Sequence, residues 1–176
     1  MLFRSSCRFK LKSLEQNKRE YERLIEIFKA HNIGYFFYNG GGDSADTCYK
    51  VSQLSEKMGF PVQAIHVPKT VDNDLPITDN CPGFGSVAKY IAVSTLEASF
   101  DVRSMAATST KIFVIEVMGR HAGWIAAAGA LVEDEGIPVV TLFPEVEFDK
   151  DKFLANVDAK VKQHGYCTIC VSEGCH

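Results

Sequence analysis

Two carboxylates stand two residues apart in Pro68-Lys69-Thr70-Val71-Asp72-Asn73-Asp74, with a lysine and a threonine just ahead of them. A base, a second carboxylate, a cation and a hydroxyl are the groups that a proton transfer beside a phosphoryl group calls for. Pro68 and Pro76 bracket the segment and argue against helix, and the apolar run 62–67 ahead of it reads as a strand. The heptapeptide is therefore expected as a loop at a strand end, the place where ligands collect in parallel α/β sheets. A plain turn suits the same residues, because Asp and Asn bond their own backbone. The heptapeptide alone leaves both readings open. The triplet also opens like an EF-hand calcium loop, but Ile77 stands where that loop needs glycine, and Pro76 precedes it.

Other turns carry groups of the same kind. Asn39-Gly40-Gly41-Gly42-Asp43-Ser44 leads from a strand into a helix. Bare amides at a helix start favour a phosphate; a tight turn would also use glycine. No Gly-Lys-Ser/Thr follows, so this is not a Walker loop. Gly83-Phe84-Gly85-Ser86-Val87-Ala88 has dinucleotide-type spacing but follows loop, not strand, and reads as a helix entry. In Met118-Gly119-Arg120-His121-Ala122-Gly123-Trp124, a guanidinium beside free helix amides suits a phosphorylated substrate. His121 reads as a packed or supporting histidine and Trp124 as core or interface packing. Glu173 follows a buried strand in Ser172-Glu173-Gly174. It can accept sugar hydroxyls or be an ordinary solvated loop residue.

Alternating elements must position these turns. Helical spacing of Leu14, Tyr21, Leu24, Ile25 and Phe28 predicts a helix over 13–30 with Ser13 as its cap. Strands are expected at 35–38, 62–67, 111–117, 137–142 and 166–171. Helices are expected at about 45–58, 84–103, 122–131 and 149–164. Continuous apolar strands between helices predict parallel sheets covered on both faces. The polar run 105–110 is the expected seam between domains.

The chain has 176 residues, 46% of them hydrophobic and 23% charged, which is ordinary for a globular protein. A net charge of -3 without a basic run or an RNA-reading aromatic motif argues against nucleic-acid binding. No apolar stretch reaches the roughly 18 residues of a membrane span. Residues 1–10 are positive but no apolar segment follows, so no signal peptide is read and a cytoplasmic protein is expected. The six cysteines are then reduced thiols. Cys167 and Cys170 have a zinc half-site gap, but no second pair exists and a strand would turn them apart. The chain opens on a helix with no strand before it and stops just after Gly174, which reads as part of a longer parent protein.

Together, Gly40-Gly41-Gly42-Asp43-Ser44, the Lys69-to-Asp74 loop, Met118-Gly119-Arg120 and Ser172-Glu173-Gly174 occur in the order and spacing of the phosphofructokinase family. The chain resembles that family from about residue 6 to 174, and most of all its pyrophosphate-dependent branch. The resemblance implies a three-layer parallel-sheet α/β fold, incomplete here: the N-terminal phosphate loop and the C-terminal half are missing. Residues 1–109 would belong to the phosphoryl-donor lobe and 110–176 would open the sugar-phosphate lobe. It implies phosphoryl transfer from pyrophosphate to the 1-hydroxyl of fructose 6-phosphate, with Mg²⁺. Asp72 would be the base and Lys69 a catalytic cation. Thr70, Asp74, Met118, Gly119, Arg120, Lys111 and Glu173 would bind substrate, and Gly41, Gly42, Asp43 and Ser44 the donor.

Donor choice rests on two positions. ATP-using members of the family carry glycine where this chain has Asp43 and Lys69. A carboxylate at 43 crowds and repels a nucleotide α-phosphate, and Lys69 can hold a pyrophosphate oxygen. Gly42 replaces an aspartate that many members use for magnesium, which leaves Asp43, or Asp74, for the metal. Lys111 stands where ATP-using relatives place an arginine that reaches a neighbouring subunit's substrate, which keeps the charge and loses the bidentate fork; the parent is expected to be a homo-oligomer. The alternatives are an ATP-dependent enzyme of the same family, a plain sugar-phosphate-binding module, or a catalytically silent, poorly soluble fragment.

Overall fold

The computed structural model describes residues 11–176; the leader reading of residues 1–10 lies outside them. Packing divides the chain into two compact units, one ending at Lys69 and the other Thr70–His176.

The first unit is built from α1 (Lys18–Ala30), β1 (Tyr35–Gly40), α2 (Gly42–Lys57) and β2 (Gln63–Pro68). The two strands pair in parallel from Tyr35↔Gln63 to Gly40↔Pro68, with α2 as the crossover that parallel pairing requires. Tyr21, Ile25 and Phe28 recur at helical spacing on α1 and bury against Val51 of α2, Val62 and Phe36. The expected helix start at Ser13 moves to Lys18: Ser13 Oγ instead accepts from Gln16 N at 3.3 Å in a turn ahead of the helix.

The second unit contains α3 (Phe84–Met105), β3 (Ile112–Val117), α4 (Trp124–Ala130), a 3₁₀ turn (Leu131–Glu135), β4 (Val139–Leu142), α5 (Lys150–His164) and β5 (Cys167–Ser172). The sheet is parallel, in the order β3-β5-β4. Helices α3 and α4 cover one face, where Val102, Ile125 and Ala126 meet Cys170 and Val139. Helix α5 covers the other, where Val157 meets Cys167, Ile169 and Val140. Cys167 and Cys170 thus enter different cores, as strand alternation demands. Ser99 Oγ and Thr168 Oγ1, 2.7 Å apart, pin α3 to β5. Asp149 caps α5 by accepting from Asp151 N and Lys152 N. The backbone bond from Lys152 leads the interactions that hold its carboxyl below the usual carboxylate range.

One expectation changes. Coverage of both sheet faces holds only around β4 and β5. Tyr35 (65% exposed), Phe37 (62%) and Val114 (55%) point to solvent, because α1 and α2 both lie on the Phe36 side of β1 and α5 does not reach over β3. The compact units divide between Lys69 and Thr70, and α3 packs on α4, β3 and β5 within the second.

Candidate active site

Residues expected at the donor gather at the C-terminal ends of β1 and β2. Helix α2 starts at Gly42, not near residue 45, because the Gly41 carbonyl accepts from Ser44 N at 3.0 Å and Ala45 N at 3.1 Å. Gly42, Asp43 and Ser44 are therefore its first turn, with Asp43 in the positive field of the helix start. The Gly40 carbonyl accepts from Lys69 N at 2.8 Å and from His66 Nε2 at 2.9 Å. With Gly40 opposite Pro68 in the register, this anchors Lys69 beside the glycine turn. Asp43 and Lys69 come from neighbouring strand ends, as parallel pairing dictates.

The Thr70-to-Asp74 loop belongs to the second unit. Thr70 is buried, and its Oγ1 accepts from Asp72 N at 3.2 Å. Among the described residues, Asp72 Oδ1 is buried without a hydrogen-bond partner. A buried carboxylate oxygen left open is costly and is where a reacting proton can be received. Asn73 is in left-handed backbone conformation, with φ 57. Asp74 lines an open cavity of about 670 Å³ with Asn73, Thr78, Asp79, His121 and Trp124. That cavity joins the acidic loop to the segment after Arg120. Trp124 is 54% exposed and meets Phe84 edge-on at 6.4 Å, so it is a cavity wall and not core.

Met118, Gly119, Arg120 and Glu173 converge at the ends of β3 and β5. Glu173 N donates to Val117 O at 2.8 Å, and Glu173 Oε1 accepts from Gly119 N at 3.4 Å. Ser172 Oγ donates to Gly119 O. Gly119 has φ 125, and a Cβ there would lie 2.4 Å from Ala122 O. Gly174 presses against Arg120: a Cβ would lie 1.9 Å from the Arg120 carbonyl. Both glycines are needed for the two loops to interlock. At the far side, Gly123 N donates to Glu145 Oε1 at 2.7 Å. The start of α4 is thus already met by a carboxylate, which removes one of the free amides expected beside Arg120.

Lys111 is not brought to this cluster. It precedes β3 while Met118 follows it, and six strand residues span roughly 20 Å. Its Nζ donates to Ala106 O at the end of α3.

Sequence reasoning missed Asn73, Ser172, His66 and Glu145 as supports. Asn73 had a legible signal, since asparagine is the residue most at ease with positive φ after glycine. The other three act across sequence gaps that no local pattern reveals.

A phosphofructokinase profile matches residues 3–176, and the chain belongs to the phosphofructokinase family. It is 75% identical over 171 residues to the pyrophosphate–fructose 6-phosphate 1-phosphotransferase of Methylococcus capsulatus, covering 96% of this chain and 41% of that protein. It is 71% identical to the protein of the same name from Halomonas elongata, with the same coverage. The crystal structure of pyrophosphate-dependent phosphofructokinase from Nitrosospira multiformis superposes with a TM-score of 0.85 at 75% identity, over 96% of this chain and 42% of that one. The chain therefore spans about two-fifths of the length of these relatives. No helix among the described residues is long and apolar enough to cross a membrane.

Proposed function

We propose that this chain forms part of a pyrophosphate–fructose 6-phosphate 1-phosphotransferase. The observation that supports the reading is the strand-end pair: Gly40 lies opposite Pro68, so the Asp43 turn and Lys69 stand at neighbouring strand ends. A small, highly charged donor fits there. Lys69 can neutralise a pyrophosphate oxygen, while the Asp43 carboxylate disfavours a nucleotide α-phosphate.

In this reading Asp72 accepts the proton of the sugar 1-hydroxyl through its open Oδ1. The oxygen attacks the near phosphorus of pyrophosphate in line, the bridging P–O bond breaks, and inorganic phosphate leaves. Thr70 holds the Asp72 backbone, and Asp74 faces the cavity. Arg120 binds the sugar phosphate through its planar fork. Glu173, with Oε1 committed to Gly119 N, offers its remaining acceptor capacity to a sugar hydroxyl. Met118 and Gly119 shape the wall beside them.

Mg²⁺ would neutralise phosphate oxygens. Such an ion, carried on the substrate's phosphates, needs only one or two protein carboxylates, and Asp43, or else Asp74, is the residue that would supply one. Residues 1–109 would serve the donor and 110–176 the sugar phosphate. The parent would be a cytoplasmic homo-oligomer in which Lys111 serves a neighbouring subunit.

The test is turnover by the full-length parent with pyrophosphate and with ATP, each with Mg²⁺. Pyrophosphate alone should support the reaction. Turnover with ATP only would overturn the roles given to Asp43 and Lys69. Replacing both by glycine should weaken pyrophosphate use by at least tenfold.

A further inference from the structure

Asn73 separates the two carboxylates of the acidic loop, and no role in the reaction has been given to it. Its backbone has φ 57, a conformation that most side chains resist and asparagine accepts. The residue is 7% exposed, and both polar ends of its side chain are hydrogen-bonded. Nδ2 donates to Asp79 O at 3.3 Å, and Oδ1 accepts from Cys81 N at 2.7 Å. Both partners are main-chain groups of the loop beyond Pro76, and Cys81 is itself buried at 2% exposure. The turn at 72–74 is thus tied to a fixed point in the protein, while Asp72 Oδ1 is left without a partner. Among the described residues nothing bonds that oxygen, and the backbone that carries it is held on one side by the Thr70 Oγ1 contact to Asp72 N and on the other by the left-handed turn at Asn73.

We propose that Asn73 is a positioning residue, which locks the left-handed turn through Asp79 and Cys81 and thereby aims the Asp72 carboxylate at the reacting hydroxyl. The inference rests on the reading of Asp72 as the base. A base that must approach its proton within hydrogen-bond distance loses about 10²-fold in rate when displaced by about 1 Å.

The test is a double-mutant cycle in the full-length parent, following kcat and KM at equal folded concentration, with melting temperature measured alongside. Asn73→Ala removes both side-chain bonds and disfavours the positive φ. It should lower kcat by about 10²-fold, with KM for the sugar phosphate changed by less than about threefold, the mark of an effect confined to the transition state. In an Asp72→Ala background the same change should lower kcat by less than about threefold further, because the group being aimed is already gone. Losses that multiply would overturn the inference and leave Asn73 a purely structural residue. So would an Asn73→Ala enzyme with the parent's kcat. If Asp72→Ala keeps its rate, the base reading itself fails, and the positioning role with it. Asn73→Gly tolerates the positive φ and keeps the test decisive if the alanine variant does not fold. It should lose at least about tenfold in kcat, and a value within about threefold of the parent's would overturn the proposal.

Discussion

The amide of Gly123 donates to Glu145 Oε1 at 2.7 Å, so a residue beyond β4 fastens the entry to α4. At the other end of the same loop, Gly119 is held by Ser172 and Glu173. The segment that carries Arg120 and His121 is clamped from both sides. Glu145→Ala should lower stability by about 1 kcal/mol, the usual worth of a bond to a carboxylate at a partly exposed helix start. Glu145→Gln keeps an acceptor and should lose less than half of that. Denaturant midpoints of the two variants give the comparison, and equal midpoints would remove the clamp from the account.

Gly174 and Gly85 make a contrasting pair. Alanine at 174 would place its Cβ 1.9 Å from the Arg120 carbonyl, a backbone atom with no easy escape. Gly174→Ala should cost more than about 2 kcal/mol, in the range of core overpacking, and weaken sugar-phosphate binding by displacing Arg120. Gly85, near the start of α3, has nothing within 4 Å of its would-be Cβ. Gly85→Ala should raise stability by about 0.5 kcal/mol through the unfolded chain. Thermal melts of both variants should move in opposite directions.

Alkaline pH should weaken the fold. Burial pushes the Cys170 thiol from its ordinary 9.0 up to about 11, and raises Cys167 and Tyr166 as well. Between those two values the unfolded chain releases the Cys170 proton and the folded chain keeps it. The unfolded state then binds fewer protons, so stability falls as pH rises, by at most about 1.4 kcal/mol per pH unit from this thiol. Denaturant midpoints should hold level from pH 7 to 8 and decline above 9. A level profile up to pH 10.5 would contradict the burial of these groups.

The chain of 176 residues on its own should self-associate. Tyr35, Phe37, Ile65 and Val67 share one face of the β1–β2 pair, and Ile112 and Val114 share one face of β3, all exposed. Apolar strand faces of this kind invite contact between copies. Sedimentation velocity should show association rising with concentration. Phe37→Lys combined with Val114→Lys should reduce it, whereas a monodisperse monomer would count against any such attraction.

Much of the scaffold was legible from local pattern. Apolar runs located the five strands among the described residues to within two residues, and the strand-loop-helix rhythm announced parallel sheets. Helix starts were less legible. The first turn of α1 slipped past Ser13, and α2 took in Gly42, Asp43 and Ser44, because a helix begins where carbonyls find donors and not where one residue type ends.

The sequence by itself determined the chemical inventory: Asp72 and Asp74 in one loop, Asp43 and Lys69 at strand ends, Arg120 and Glu173 after buried strands. It determined the family as well, since those groups recur at diagnostic spacing. Only the tertiary structure decided which of them meet. Placing β5 between β3 and β4 joined Glu173 to Gly119 across 54 residues and left Lys111 at the opposite end of β3. It also decided that Asp72 keeps an open, buried oxygen while Asn73 spends its whole side chain on the backbone of Asp79 and Cys81. Residue spacing encodes local conformation, because φ, ψ and side-chain period are local. Register, close approach and burial are properties of distant segments brought together, and in this chain they bury an oxygen of Asp72 and fasten the neighbouring Asn73 to the far side of its loop.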